Sequence, residues 1–306
     1  MNCIHWLLLG LGNPQLLNMI YLNPQHTIFI LLFSCAGTIP KQPKPSQEFT
    51  TYWYNNEAEI SSYSLTQARY GELHKGEAVL VFVTEPFSEK KFVKSDNPTV
   101  NDIPVLKLNL TKKFNTGIYP YSIMTSVFTS ITDEQNALKI TCSSQEWCGH
   151  TFTQLENKGN YHITSHSYFE TEGEQKFSLQ KTFLEDDVWS KIRLSNQLPE
   201  GKVKMIPSFS YIRLMHKELK AYLCEITKTD SSITLSYPEL DRTLSISYEQ
   251  TFPFKILGWE ETYSSGFGQK QQLLTTTAHL MKTIKSAYWE KHNNEDSYLR
   301  EELKLK

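Results

Sequence analysis

Alternation of apolar and polar residues with a period of two dominates the chain beyond residue 49. In residues 105–111, the side chains of Leu106, Leu108 and Leu110 fall on one face of an extended chain and polar side chains fall on the other. This pattern predicts a half-buried strand. Residues 79–83 form an unbroken apolar run, which is typical of a strand that is covered on both faces.

Further strands are predicted on both sides of short polar turns. They occupy residues 151–155, 161–169, 220–227, 233–237, 242–248, 252–259 and 273–284, and the first two flank a turn at Gly159. Helical patterns are restricted to residues 184–192, around Trp189, and residues 294–304, where Asn294 can cap the first turn. We therefore predict a mainly β fold: a large antiparallel sheet, half-barrel or barrel-like, with a few short helices and a C-terminal helix. Residues 49–306 carry no linker rich in glycine and proline, which predicts a single β-rich domain.

The first 34 residues differ from the rest because they contain no Asp, Glu, Lys or Arg. Their last apolar stretch, residues 28–33, is too short to cross a bilayer as a helix and suits a signal peptide. Leu32-Phe33-Ser34-Cys35 follows and resembles a bacterial lipobox, which predicts a signal peptide at residues 1–34 and a lipidated Cys35. Signal peptides usually open with a basic residue, which this leader lacks, and Met19 is an alternative start. The alternative interpretation is a buried N-terminal strand with a structural Cys35.

Residues 35–48 are predicted to tether the domain to a membrane. Pro40, Pro43 and Pro45 favour an extended polyproline II segment. Acyl chains on Cys35 would anchor the protein firmly, since each buried CH₂ contributes roughly 0.8 kcal/mol. Ala36 follows the cysteine in place of Asp, which by analogy with lipoprotein sorting favours the outer membrane. The expected location is the cell envelope, with the membrane as partner through the lipid anchor.

Charge and glycine pattern exclude other classes of partner. The formal net charge is −2, from 31 basic and 33 acidic residues, so no basic field favours nucleic acid. Gly266-Phe267-Gly268 lacks the third glycine and the preceding strand of a dinucleotide-binding loop. We predict no cofactor and no nucleic-acid partner.

The densest polar cluster lies at residues 143–150. Cys148 could act as a nucleophile beside His150, with Glu146 or Gln145 assisting. On a strand, however, residues two apart are separated by about 6.6 Å, which is too far for a direct hydrogen bond between the two side chains. A strand end or bulge with a packing Trp147 is the alternative. His162 and His166 would lie about 13 Å apart on a strand, too far to share one ion, so no metal site is predicted.

Paired carboxylates follow Trp259 in the sequence. Glu260 and Glu261 could form an acid/base pair with Asp186 and Asp187, but adjacent strand residues face opposite sides of a sheet. Ligand binding is therefore predicted at four residues: Trp147, His150, Trp259 and Glu260. If Cys35 is lipidated, the thiols of Cys142, Cys148 and Cys224 remain, and Cys142 with Cys148 would close the shortest disulfide loop.

From residue 58 onward the chain resembles a group of Bacteroidota lipoproteins. The resemblance is carried by residues 59–63, 65–72 (LTQARYGE), 82–85, 105–120, 145–150 and 264–268 (SSGFG). Members are often labelled "septum formation inhibitor Maf". True Maf proteins are small cytoplasmic α/β nucleotide pyrophosphatases that open with Ser-x-Ser-Pro-Arg-Arg. This chain has neither that motif nor that periodicity, so the resemblance implies an envelope lipoprotein and no pyrophosphatase residues.

Three functions follow from these observations. The first is a surface or periplasmic binding lipoprotein whose β domain holds a hydrophobic or glycan ligand, or an envelope partner. Aromatic residues such as Trp53, Trp147, Trp189 and Trp259 would line its concave sheet, unless they form the core. The alternative is an envelope hydrolase that uses the region of Glu146, His150 and Glu260. A purely structural protein would instead show an exposed apolar patch and no pocket.

Overall fold

The structure is a computed structural model that describes residues 46–132 and 136–306. The predicted signal peptide, the predicted lipid site at Cys35 and most of the predicted tether lie outside the described residues. The described residues all belong to one compact unit.

Within residues 46–132 and 136–306, sixteen strands form one sheet. Their bounds are β1 (Ala58–Arg69), β2 (Glu72–Ser88), β3 (Val93–Lys94), β4 (Ile103–Thr116), β5 (Tyr119–Ser130), β6 (Lys139–Glu146), β7 (Gly149–Lys158), β8 (Asn160–Ser167), β9 (Glu174–Leu179), β10 (Phe183–Leu184), β11 (Gly201–Ile206), β12 (Tyr222–Lys228), β13 (Ser232–Tyr237), β14 (Arg242–Tyr248), β15 (Ile256–Ser265) and β16 (Gln272–Ser286). The α-helices are α1 (Gln47–Trp53), α2 (Glu185–Leu194), α3 (Phe209–Met215) and α4 (Tyr298–Glu302).

The strand order is β10-β11-β12-β13-β14-β15-β16-β1-β2-β4-β5-β6-β7-β8-β9, and β3 pairs with β2 off this path. Only β10 and β11 run parallel; the other pairings are antiparallel. The sheet is open, with β9 and β10 at its two edges. The predicted fold class, a mainly β chain built on one large antiparallel sheet with few short helices, is confirmed.

Helix α2 shows that the sheet is strongly curved. Glu185 at its start binds Arg242 on β14, whereas Asp187, two residues later, accepts a hydrogen bond from Thr129 on β5. From β14 to β5 the path runs through β15, β16, β1, β2 and β4, which is six steps. In a flat sheet six steps would span about 29 Å, far more than the roughly 10–12 Å diameter of a helix. The sheet therefore wraps around α2, and we call the face that covers α2 and α3 the concave face.

Alternation along the strands decides which side chains reach the core. The predicted set Leu106, Leu108 and Leu110 is buried in the main cluster of the concave face, together with Trp189 of α2. A smaller cluster on the opposite face includes Ile60 and Leu303 under the C-terminal segment.

Several element boundaries differ from the predictions, and three of the differences have a clear local cause. The strand predicted at residues 252–259 begins at Ile256, because Thr251 and Phe254 close a turn before it through a 2.8 Å backbone hydrogen bond. The C-terminal helix is shorter than predicted: a 3₁₀ turn at Asn294–Ser297 leads into α4, and Asn293 rather than Asn294 forms the capping box with Asp296. The hairpin turn between β7 and β8 consists of the single residue Gly159, whose φ of +88° suits glycine.

Candidate functional site

A groove of about 560 Å³ lies on the concave face beside the β9 edge. One wall consists of inward-facing residues of β7, β8 and β9, and the other of α3 and the loop after it. The lining residues are Thr151, Thr153, Ser165, Thr171, Glu172, Gln175, Phe177, Leu179, Phe209, Ile212, Arg213, His216, Lys217, Glu218, Leu219 and Lys220. Its volume falls within the usual range for small-molecule sites, about 300–1,000 Å³.

Strand register gives the groove one polar and one apolar part. Thr153 and Ser165 face each other across β7 and β8, and their hydroxyls lie 3.1 Å apart. Along β9, Phe177 and Leu179 point to the same side as these hydroxyls, because they pair with the inward residues of β8. The groove can therefore hold a molecule that has both an apolar body and groups able to form hydrogen bonds.

A charged cluster closes one end of the groove. Arg213 lies in the last turn of α3, and His216 ends that helix in the left-handed conformation with φ of 50°. The carboxylate of Glu172 lies 2.8 Å from Nδ1 of His216 and 3.3 Å from Nη1 of Arg213. Burial raises the pKa of Glu172, but hydrogen bonds from His216 and Ser167 and the charge of Arg213 outweigh it, so this pKa lies below its usual value.

Arg213 is incompletely paired. Its guanidinium lies over the ring of Phe169, 4.4 Å from the centroid, and 3.9 Å from Glu146. Its Nε is buried and has no hydrogen-bond partner among the described residues. An unpaired buried donor costs about 1–3 kcal/mol, so this guanidinium favours an additional acceptor.

The rest of the concave interior is filled by α2 and held by ion pairs. Arg193 of α2 binds Glu59 of β1 through both of its terminal nitrogens. Arg242 of β14 binds Glu185 of α2 in the same two-pronged way, and its Nε donates to Glu261 of β15 at 2.8 Å. These pairs fix α2 against the sheet, so the space beneath this helix is core rather than a ligand site.

A small polar cavity of about 20 Å³ remains beside these pairs, lined by Lys112, Asp186 and Trp259 among others. It has room for about one water molecule. Burial raises the pKa of Asp186 to about 6, although hydrogen bonds from the Phe209 backbone and Ser208 and the charge of Lys112 act to lower it. The cavity is too small for an organic ligand.

Glu146, His150 and Glu260 do not share a site, which corrects the predicted hydrolase constellation. Glu146 is buried on the concave side and accepts a hydrogen bond from the Cys148 backbone at 2.7 Å. His150 and Glu260 are exposed on the outward faces of β7 and β15. Along the strand order, β15 is six steps from β6, through β16, β1, β2, β4 and β5. Strand alternation explains the separation, because these residues fall on opposite faces of distant strands.

The four predicted ligand-binding residues do not converge either. Trp259 is 2% exposed and packs edge-on against Trp189, 5.2 Å between ring centroids, so it belongs to the core. Trp147 is 67% exposed at the tip of the β6–β7 hairpin. His150 and Glu260 face solvent elsewhere on the sheet. The prediction that Trp259 contacts ligand is therefore wrong, whereas ligand binding by Trp147 stays a prediction.

The predicted disulfide between Cys142 and Cys148 is also not present. Both thiols are free, as is that of Cys224. Hairpin register explains this, because Cys142 lies opposite Thr153 while Cys148 sits in the exposed turn after β6. Within residues 46–132 and 136–306, no three His, Cys, Asp or Glu side chains are grouped to hold a metal ion. In the same part of the chain, no helix has the length and apolar character needed to span a bilayer.

Sequence reasoning missed the groove and the internal ion pairs for different reasons. The groove joins β7–β9 to a helix more than 30 residues later, and no local pattern reports that contact. The ion pairs did leave a signal, because Arg242 shares its inward strand phase with Leu244 and Ile246. A charged residue in the buried phase of a strand indicates a buried partner.

The fold and the groove together define an open, mostly antiparallel β protein with a ligand-sized groove on its concave face. No protein-family model matches the chain, and no match was found among curated proteins. A solved β-barrel-like protein of the domain of unknown function DUF1849 from Brucella abortus aligns with a TM-score of 0.42 and 8% identity, over 74% of this chain and 96% of that chain. A porin-like protein from Bacteroides uniformis aligns with a TM-score of 0.22 and 10% identity, over the same shares of 74% and 96%.

Proposed function

We propose that this protein is a membrane-anchored binding lipoprotein of the cell envelope whose groove beside β9 holds an amphiphilic ligand. The observation that carries the proposal is the groove itself: about 560 Å³, on the concave face, with apolar and hydrogen-bonding walls and an incompletely paired arginine. The anchor rests on the leader and Cys35 of the sequence.

The apolar wall favours a hydrophobic body over a glycan. Phe177, Leu179 and Leu219 line the groove, and Phe209 and Ile212 form its buried floor. Glycan sites usually present the face of an exposed Trp or Tyr ring, and the part of the groove that the structure describes is lined by neither. Burying about 100 Å² of apolar ligand surface here would contribute roughly 2.5 kcal/mol, which suits an acyl chain or a similar body.

The polar end favours an anionic head group. Arg213, Lys217 and Lys220 are the basic residues of the lining, and Glu172 and Glu218 are its acidic residues. Lys220 is paired with Glu218 at 2.7 Å, and Glu172 is held by Arg213 and His216. A carboxylate or phosphate could use Lys217 and the guanidinium of Arg213, which both line the groove. The ligand class is therefore an amphiphile with an apolar body and a carboxylate or phosphate head.

The proposal is tested with dansyl-undecanoic acid, a fluorescent amphiphile with a carboxylate head, titrated into the chain from Gln42 to Lys306. We expect Phe177→Arg to weaken binding at least tenfold, because the long cationic side chain fills the apolar part of the groove. Leu257→Arg is the matched control, since Leu257 is an exposed leucine on the outward face of β15. It should leave the affinity unchanged.

Two results would refute the groove as the binding site. One is unchanged affinity in the Phe177→Arg variant when circular dichroism shows that it is folded. The other is equal loss in the Leu257→Arg variant. The anchor is tested separately by mass spectrometry of the N-terminus after purification from native membranes, and an unmodified Cys35 would exclude it.

A further inference from the structure

Aromatic side chains form a continuous row across four hairpin tips at one end of the sheet. Phe267 of the β15–β16 turn lies 6.2 Å from Tyr70 of the β1–β2 turn, between ring centroids. The hydroxyl of Tyr70 lies 3.3 Å from that of Tyr119 at the start of β5. Tyr119 in turn stacks on Trp147 of the β6–β7 turn, with centroids 6.3 Å apart. We call Phe267, Tyr70, Tyr119 and Trp147 the aromatic row.

The exposed members of this end are large and apolar. Ile118, beside Gly117 in the β4–β5 turn, is 81% exposed, Trp147 is 67% exposed and Phe267 is 68% exposed. Full burial of each of these side chains would contribute about 1.5–3 kcal/mol of favourable free energy. One exposed apolar residue is ordinary, but three on separate turns of a contiguous aromatic surface indicate a contact site.

The charges that reach the surface at these turns have a small positive excess. Residues 112–123, 143–152 and 264–273 contain four formal charges: Lys112, Lys113, Glu146 and Lys270. Lys112 and Glu146 are buried, which leaves Lys113 and Lys270 exposed. The β1–β2 hairpin adds Lys75, Glu72 and Glu77, and Glu77 lies opposite Lys113 with its carboxylate accepting a 2.7 Å hydrogen bond from the Lys306 backbone. The surface therefore presents apolar tips flanked by cations, which is complementary to anionic lipid head groups above an acyl layer.

The shape of the surface favours a bilayer over a folded protein. Ile118, Trp147 and Phe267 project from separate turns, and a fluid surface can accept such separate protrusions without matching their spacing. Trp and Tyr side chains are also the residues enriched at the membrane interface, because their rings are apolar and carry one polar group.

We infer that the aromatic row, with Ile118 and the flanking Lys113 and Lys270, is a docking surface for an anionic lipid bilayer. This contact differs from the proposed lipid anchor. Helix α1, where the described chain begins, contacts the start of β1 through Tyr52 and Glu59, whereas the tips lie beyond Arg69 at the other end of that strand. Twelve residues of strand separate the two ends by about 40 Å.

Vesicle flotation of residues 42–306, which lack Cys35 and the leader, tests the inference. The vesicles contain phosphatidylcholine and phosphatidylglycerol in a ratio of 3:1. We expect the wild-type chain to float with them and the triple variant Ile118→Ser, Trp147→Ser, Phe267→Ser to bind at least tenfold more weakly. The matched control is Val100→Ser, Trp289→Ser, Tyr298→Ser, which removes three exposed apolar side chains away from these tips and should float like the wild type.

Two further measurements keep the inference testable if the triple variant does not fold. Lys113→Glu with Lys270→Glu should reduce binding several-fold on the anionic vesicles, with less change on pure phosphatidylcholine. Brominated lipid should quench tryptophan fluorescence in the wild type. Trp147→Ala should remove this quenching because Trp53, Trp189 and Trp259 are buried and Trp289 follows the opposite end of β16, where Ser286 pairs with Ala58. The inference is overturned if the wild type does not float. It is also overturned if the triple serine variant or the double lysine variant binds the anionic vesicles as well as the wild type. Failure to float would favour a protein partner and would leave the groove proposal intact.

Discussion

Two regions of the same concave face differ, because a helix covers one of them and the other is open. Between β14 and β5 the face is sealed by α2, which is held by Arg193 with Glu59 and by Arg242 with Glu185. Between β7 and β9 the face stays open, and α3 lines the resulting groove with Phe209, Ile212 and Arg213. The comparison teaches that a strongly curved sheet does not imply a central cavity. Here the helix fills the centre, and a ligand-sized groove lies at the edge.

The two regions also use charge differently. In the sealed region each guanidinium donates two hydrogen bonds to one carboxylate, and these ion pairs stabilise the fold. In the open region Arg213 shares Glu172 with His216 and leaves its Nε without a partner. We therefore expect changes in the sealed region to alter stability and changes in the open region to alter binding.

The largest expected effect comes from breaking the sealed region at Arg242. Arg242→Met leaves Glu185 and Glu261 buried without a counter-charge, and we expect the free energy of unfolding to fall by about 4 kcal/mol. Urea denaturation followed by circular dichroism measures this loss. Lys220→Met, which removes a surface partner of Glu218, is the control and should leave the urea midpoint unchanged. A loss near zero for Arg242→Met would show that these pairs do not hold α2.

The second expected effect is a pH dependence that belongs to Asp186. Its pKa rises from 3.8 to about 6 on folding because the group is buried. The folded state therefore binds more protons than the unfolded state between about pH 4 and 6, so this residue's contribution to stability falls as pH rises through that window. Two pH units correspond to about 3 kcal/mol.

Asp186→Asn removes this titration while keeping an acceptor for the Phe209 backbone N–H. Relative to the variant, the wild type should lose up to about 3 kcal/mol between pH 4 and pH 7 in urea titrations at each pH. If the free energy of unfolding changed with pH in the same way in the two proteins, Asp186 would not be the group responsible. Ligand affinity should not follow this change, since Asp186 does not line the groove.

The smallest expected effect comes from the open region. Glu172→Gln removes the carboxylate that competes for Arg213, so dansyl-undecanoic acid should bind about threefold more tightly. Stability should fall by only about 0.5 kcal/mol, because the Glu172 contacts are partly exposed. Glu174→Gln is the control on the same hairpin, where the side chain is exposed and outward-facing. Weaker binding in Glu172→Gln would mean that this carboxylate contacts the ligand instead.

Local patterns of apolar and polar residues were sufficient to predict the fold class. The alternation at Leu106, Leu108 and Leu110, the apolar run in β2 and the short helix around Trp189 all have the predicted form, because each is set by neighbours along the chain. The C-terminal helix is shorter than predicted, although Leu299 and Leu303 do share the face that packs against the sheet. The leader and Cys35 lie outside the described residues and stay a prediction.

The site was not predictable in the same way. Strand phase buries Trp259 in the core, and strand order separates Glu260 on β15 from the β6–β7 hairpin that carries Trp147 and His150. The groove depends on how β9 at one edge faces Arg213 and His216 of α3, a contact made by the curvature of the whole sheet. Curvature follows from the packing of α2 against many strands at once, and no short segment encodes it.

The most direct test of the account is the molecule that the groove carries when the protein is taken from its own membranes. Wild-type protein and Phe177→Arg are purified in parallel, and the organic extract of each is measured by mass spectrometry against a known amount of protein. We predict close to one equivalent of an acyl-containing carboxylate or phosphate in the wild type, and less than a tenth of that in the variant. Equal amounts in both, or a wild-type groove that yields no such amphiphile, would contradict the binding function proposed for this β domain.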